Sequence, residues 1–188
     1  MTNVILIHGY NGIPEVYKWL EEELTKRNYN VIIPSFPTRE NCNYSNWKNI
    51  LDEYKNEFNE ETIVIAHSIG NEFIIKYCYY NNIKIKMYIG LAGFCKYFEC
   101  DGKDDLNKAI KDFLLSNEEK ENFKNLNIDK YSIYSDNDHI IPFNILQEYS
   151  KEIGATPILI KGIGHMGRKS RVTSVYEILE IIDKRGNI

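Results

Sequence analysis

The chain has 188 residues, enough for one domain of ordinary size and too few for two. Hydrophobic residues make up 43% and charged residues 27%, so a core can form and intrinsic disorder is excluded. A formal net charge of −4 leaves no global positive field, so neither nucleic acid nor a membrane surface is expected as a partner.

Short apolar, β-branched runs at residues 4–7, 31–33, 62–66, 87–91, 131–134 and 157–160 predict strands. They barely alternate, which is the pattern of strands covered on both faces in a parallel sheet. Amphipathic stretches at 14–27, 45–58, 69–80, 142–153 and 170–184 predict helices; the first opens at Pro14 and repeats Val16, Trp19, Leu20 and Leu24 at helical spacing. Strand and helix in alternation predict an α/β fold, a three-layer sandwich with a mostly parallel, doubly wound sheet whose ligands bind beyond the carboxyl ends of the strands. Residues 93–129, polar and with helices expected at 104–115 and 118–126, interrupt the alternation. They are read as a small cap or side insertion on a single domain spanning 1–188. The start of the chain lacks a basic region and a long apolar run, and no run elsewhere approaches the roughly 20 residues of a membrane span. Cys42, Cys78, Cys95 and Cys100 form no C-x-x-C pair, which suits a reduced, cytoplasmic setting.

The sharpest chemical signal is Ala66-His67-Ser68-Ile69-Gly70. It joins a predicted strand to a predicted helix, with small residues two positions before and after a serine, as a nucleophile elbow requires. A serine before a helix is also an ordinary N-cap, so the reading needs a base and an acid to orient it. Both follow in the chain order serine, acid, histidine: Asp138 in the loop after the fifth strand, and His165, flanked by Gly164 and Gly167, after the sixth. Asp136 is expected to cap the turn or the next helix. His8 and His67 are expected to be structural, and His139 to point elsewhere. The glycine-containing loop His8-Gly9-Tyr10-Asn11-Gly12 stands where a second oxyanion donor arises, so the backbone N–H groups of Tyr10 and Ile69 are the expected pair. Trp47, Phe94, Ile140 and Met166, with Tyr10, flank these loops and are the expected walls of an apolar acyl site in an open cleft.

These residues resemble the α/β-hydrolases, and within them the small YdeN-like serine hydrolases, a group that includes the retinoblastoma-binding serine hydrolases. The resemblance runs nearly end to end, through LIHGYNG at 6–12, IVIAHSIG at 63–70, LAGFCK at 91–96, SDNDHIIPF at 135–143 and GIGHM at 162–166. It implies Ser68 as nucleophile, Asp138 as acid and His165 as base, on one domain with almost no lid in the cytoplasm. Ala66 stands where the wider superfamily has glycine, and residues 99–127 match less well. The expected activity is hydrolysis of a small-molecule carboxylic ester, thioester or amide, with no metal and no organic cofactor. A protein-binding module on the same scaffold, or an acyltransferase or cofactor-free peroxidase using the same triad, are the other readings, though no protein partner is indicated. Four histidines near one sheet edge are not read as a metal site, because their spacing fits a triad instead.

Overall fold

The structure, a computed structural model, describes residues 1–167 and 170–186. In chain order its elements are β1 (Asn3–Ile7), α1 (Glu15–Lys26), β2 (Asn30–Ile32), α2 (Tyr44–Asp52), β3 (Ile63–His67), α3 (Gly70–Asn81), β4 (Met87–Leu91), α4 (Asp104–Phe113), α5 (Asn117–Lys124), β5 (Asp129–Tyr134), α6 (Phe143–Ile153), β6 (Thr156–Leu159) and α7 (Tyr176–Gly186). Among the described residues the six strands form one sheet in the order β2-β1-β3-β4-β5-β6, every neighbouring pair parallel. The chain moves outward from β1 to β2, then returns to the other side of β1 with β3. The loops that follow β1 and β3 therefore face each other where strand order reverses, the position at which doubly wound sheets hold their ligands.

Helices cover both faces. Beside α1, Arg27 pairs with Asp183 of α7 at 3.2 Å, and the rings of Trp19 and Tyr176 meet edge to face at 5.1 Å. On the other face α2 and α5 pack against α3, and α6 packs against α5. The central strands β1, β3 and β4 are buried almost throughout, and most of α3 is buried with them. The edge strands differ: β2 and β6 are half-buried or exposed along their length, so coverage on both faces holds only for the middle of the sheet.

Three predicted segments settle differently. The 45–58 helix ends at Asp52 and is followed by a 3₁₀ turn at Lys55–Glu57, because the buried stripe of Trp47 and Leu51 has no continuation over residues 52–57. The helix expected from 170 begins at Tyr176; residues 170–175 are rich in Ser, Thr and Val, which lose more than they gain in a helix. Within 93–129, α5 lies in the helical layer between α3 and α6. It serves as the crossover that parallel β4 and β5 require rather than as a cap.

Candidate active site

Ser68 follows β3 directly and takes a left-handed φ of +54°, a strained conformation for a residue with a side chain. Its N–H donates to the carbonyl of Leu91 at the end of β4 (2.8 Å), which fixes the turn to the sheet. Close packing does the rest. A Cβ on Gly70 would stand 2.5 Å from the His8 carbonyl oxygen, so that position admits only glycine, and one on Gly9 would crowd His67 Nδ1 at 2.9 Å and Ser68 Cβ at 3.0 Å. Among the described residues neither the Tyr10 nor the Ile69 backbone N–H meets a backbone acceptor.

The imidazole of His165 lies between Ser68 and Asp138. Its Nε2 is 3.2 Å from Ser68 Oγ, and its Nδ1 is 2.7 Å from Asp138 Oδ2. Asp138 Oδ1 accepts from the N–H groups of Ile140 (2.7 Å) and Ile141 (3.0 Å), so both carboxylate oxygens are engaged. Burial would push this carboxyl up, but the hydrogen bond and charge of His165 with the two backbone donors hold it below the ordinary carboxylate range. With Asp138 ionised, Nδ1–H donates to it and Nε2 is left as the acceptor for the serine hydroxyl. Ser68 and His165 are 8% and 9% exposed, so both reacting groups keep a small accessible surface.

The turn that carries His165 is held by three consecutive side chains after β5. Asp136 Oδ1 accepts from Gly162 N–H (2.9 Å), Ser135 Oγ from Ile163 N–H (3.1 Å) and Asn137 Oδ1 from Gly164 N–H (2.7 Å). Asp136 thus ties two loops together instead of capping its own turn, and it is Asp138 that accepts from the N–H groups ahead of α6. Ser135 and Asn137 went unnoticed in the sequence, although Asn between two Asp at a strand end is a side-chain-to-backbone signal.

The other histidines have separate placements. His8 is buried, donates through Nδ1 to the Gly9 carbonyl (2.8 Å) and accepts at Nε2 from Phe36 N–H (2.9 Å); burial lowers its pKa and it stays neutral. His67 is buried with its Nε2 2.8 Å from the His165 carbonyl oxygen. His139 is exposed, its ring 6.2 Å from that of His165. Among the described residues no three His, Cys, Asp or Glu side chains are grouped to hold a metal ion.

Beneath the elbow lies a polar network that the sequence did not announce. Asn71 Nδ2 donates to the carbonyls of Ser68 (2.7 Å) and Leu91 (3.0 Å), and its Oδ1 accepts from Tyr88 (2.5 Å), whose hydroxyl also meets that of Tyr149 (2.6 Å). At the next residue of α3, Glu72 Oε1 accepts from Phe94 N–H (3.0 Å) while Oε2 is buried without a hydrogen-bond partner among the described residues. Burial holds this carboxyl well above its ordinary pKa.

The expected pocket walls are corrected. Trp47 is fully buried, stacks on Phe36 at 4.6 Å and donates its indole N–H to the Pro37 carbonyl (2.8 Å); it belongs to the core. Phe94 and Met166 are also buried, Phe94 edge to face with Phe98 at 5.1 Å and Met166 in a left-handed turn at φ +55°. Of the five, Tyr10 and Ile140 keep surface. A cavity of about 520 Å³ lies elsewhere, between α3 and α5, lined by Ile75, Cys78, Phe123 and Ile128 among others.

A parallel sheet wound on both faces, with a strained serine at the β3–α3 turn and an acid and histidine on later carboxyl-end loops, defines an α/β-hydrolase fold. The family model for serine hydrolases matches residues 4–184, and the chain belongs to that family. YdeN of Bacillus subtilis (strain 168) is 22% identical over 185 residues, covering 94% of this chain and 93% of that protein. The crystal structure of the B. subtilis ydeN gene product superimposes with a TM-score of 0.81 at 20% identity, covering all of both chains. A carboxylesterase structure from the thaumarchaeon Nitrososphaera gargenis gives 0.72 at 14% identity, over 97% of this chain and 90% of that one. A meta-cleavage product hydrolase from Pseudomonas fluorescens IP01 gives 0.72 at 15%, over 98% and 92%.

Proposed function

We propose that this serine hydrolase cleaves a carboxylic ester, or a thioester or amide, of a small molecule through Ser68, His165 and Asp138. The observation that carries the reading is the continuous pair of contacts from Ser68 Oγ to His165 Nε2 and from His165 Nδ1 to Asp138. Ser68 Oγ attacks the acyl carbon while its proton passes to His165 Nε2. Asp138 balances the imidazolium and keeps Nδ1 protonated. The bond to the leaving group then breaks, and that group takes the proton from Nε2. Water, deprotonated by the same nitrogen, attacks the acyl-enzyme, and the acid leaves as Ser68 recovers its proton. The N–H groups of Tyr10 and Ile69 stabilise the oxyanion in both halves; losing one such donor typically costs about 3 kcal/mol. The steps run on these side chains without a metal or organic cofactor.

The carboxylesterase among the similar folds supports an ester as substrate. Four free, buried cysteines support a reducing, cytoplasmic setting, and among the described residues no helix is long and apolar enough to cross a membrane. A panel of chromogenic esters of graded acyl length tests the reading: turnover that disappears in Ser68→Ala and is unchanged by a chelator supports it. Equal turnover by folded Ser68→Ala would overturn it.

A further inference from the structure

We propose that His67 is a positioning residue for the catalytic base: its Nε2–H grips the backbone carbonyl of His165 and sets the imidazole of His165 against Ser68. The inference rests on the Ser68–His165–Asp138 reading and extends it to a side chain that makes no proton transfer. His67 is the last residue of β3, so it is covalently next to the nucleophile, while its ring reaches across to the loop after β6, 98 residues along the chain.

Three contacts fix the ring. Nε2 is 2.8 Å from the His165 carbonyl oxygen, which can only accept; the nitrogen must therefore carry the proton. The ring also meets the His165 imidazole edge to face, 4.9 Å between centroids. On its other sides the backbone closes in. A Cβ on Gly9 would stand 2.9 Å from Nδ1, so the oxyanion loop has glycine where this ring needs the space, and a Cβ on Gly167 of the histidine loop would meet Cε1 at an ordinary contact distance of 3.4 Å. One side chain thus touches all three parts of the site.

The arrangement also has a chemical consistency. With Nε2 protonated, Nδ1 is a bare lone pair, and it is buried without a hydrogen-bond partner among the described residues. A buried, unpartnered nitrogen is unfavourable for folding alone. The ring nonetheless remains neutral, because burial, with His165 beside it, pushes its pKa down to about 3. A neutral donor holds the His165 backbone without placing a second positive charge beside the imidazolium that forms during turnover. The nearby groups that bear on this charge are Asp138, His165 and His8 for His67, with exposed His139 against the far side of the His165 ring.

The variants Gln, Asn and Leu at position 67 separate positioning from bulk. Gln places an amide N–H near the Nε2 position, Asn places one near Nδ1, short of the carbonyl, and Leu has none. For a chromogenic ester, His67→Leu and His67→Asn should lower kcat by about 10- to 100-fold with KM within about twofold, since displacements near 1 Å cost on that order. His67→Gln should recover most of the loss. The low-field Nδ1–H resonance of His165 should persist in His67→Gln and broaden or shift in His67→Leu. Folded Leu and Asn variants with wild-type kcat and an unmoved resonance would overturn the proposal. Should those variants fail to fold, nitrogen NMR on the wild-type chain still decides: a His67 ring protonated on Nδ1, or titrating near pH 6.5, would overturn it as well. Failure of the underlying reading is distinct, because it appears as undiminished turnover in Ser68→Ala.

Discussion

Ser68 sits on a turn shaped by packing, whereas His165 sits on a turn shaped by hydrogen bonds. Around the serine, Gly70 lets backbone meet backbone at a distance no Cβ tolerates, Gly9 makes room for the side chains of His67 and Ser68, and Ser68 is pinned to β4 through the Leu91 carbonyl. Around the histidine, Ser135, Asp136 and Asn137 hold three successive N–H groups at 162–164, and His67 holds the carbonyl of His165 itself. A packed turn is part of the core and yields only when the core yields. A hydrogen-bonded turn can lose one contact and shift while the sheet stays intact. Damage near the serine should therefore appear as lost stability, and damage near the histidine as lost rate in a folded protein.

The largest effect should come from the acid that orients the base. Asp138→Asn leaves an amide whose N–H₂ can face Nδ1 and turn the imidazole to the wrong tautomer, so kcat should fall about 10⁴-fold with melting temperature little changed. A fall of less than tenfold would show that Asp138 does not set the tautomer. On the packed side, Gly70→Ala drives a Cβ into the His8 carbonyl and should cost about 1–3 kcal/mol in denaturant unfolding. A variant as stable as wild type would erase the distinction drawn above. On the hydrogen-bonded side, Asn137→Ala should lower kcat about tenfold while costing only about 1 kcal/mol; the reverse ranking would mean that the histidine turn, too, is part of the core.

The smallest effect separates two buried carboxyls by pH. Asp138 has its folded pKa lowered, so its contribution to stability is present above its unfolded pKa, about 4, and is lost as pH falls through the lower folded value. Glu72 has the opposite sign. Its folded pKa is raised well above the unfolded value of about 4.3, so its contribution is full in acid and declines as pH rises towards the folded value. Glu72→Gln keeps the shape without the titration and should flatten stability against pH from about 4.3 upward, with activity retained. An unchanged slope would show that Glu72 is ionised where it lies.

The elbow was legible in the sequence because every requirement it meets is local: apolar strand, small residue, serine, small residue, helix. The order of serine, acid and histidine was legible for a similar reason, since each stands just after a strand-like run. Other features depend on which segments become neighbours. Trp47 looks like a pocket wall until Phe36, Phe73 and His8 are seen to enclose it. The helix α5 looks like an insertion until the sheet order shows that β4 and β5 are adjacent and need a crossover. Asp138 was legible as the partner of His165, but Asp136, two positions away, looks like a local cap until the fold brings Gly162 to it.

The most direct measurement is covalent labelling of the nucleophile with a fluorophosphonate, followed by mapping of the modified residue. Wild type should be labelled at Ser68, Ser68→Ala should not be labelled, and Asp138→Asn should react far more slowly. A folded wild type that resists the reagent, or a label that maps to another residue, would contradict the account.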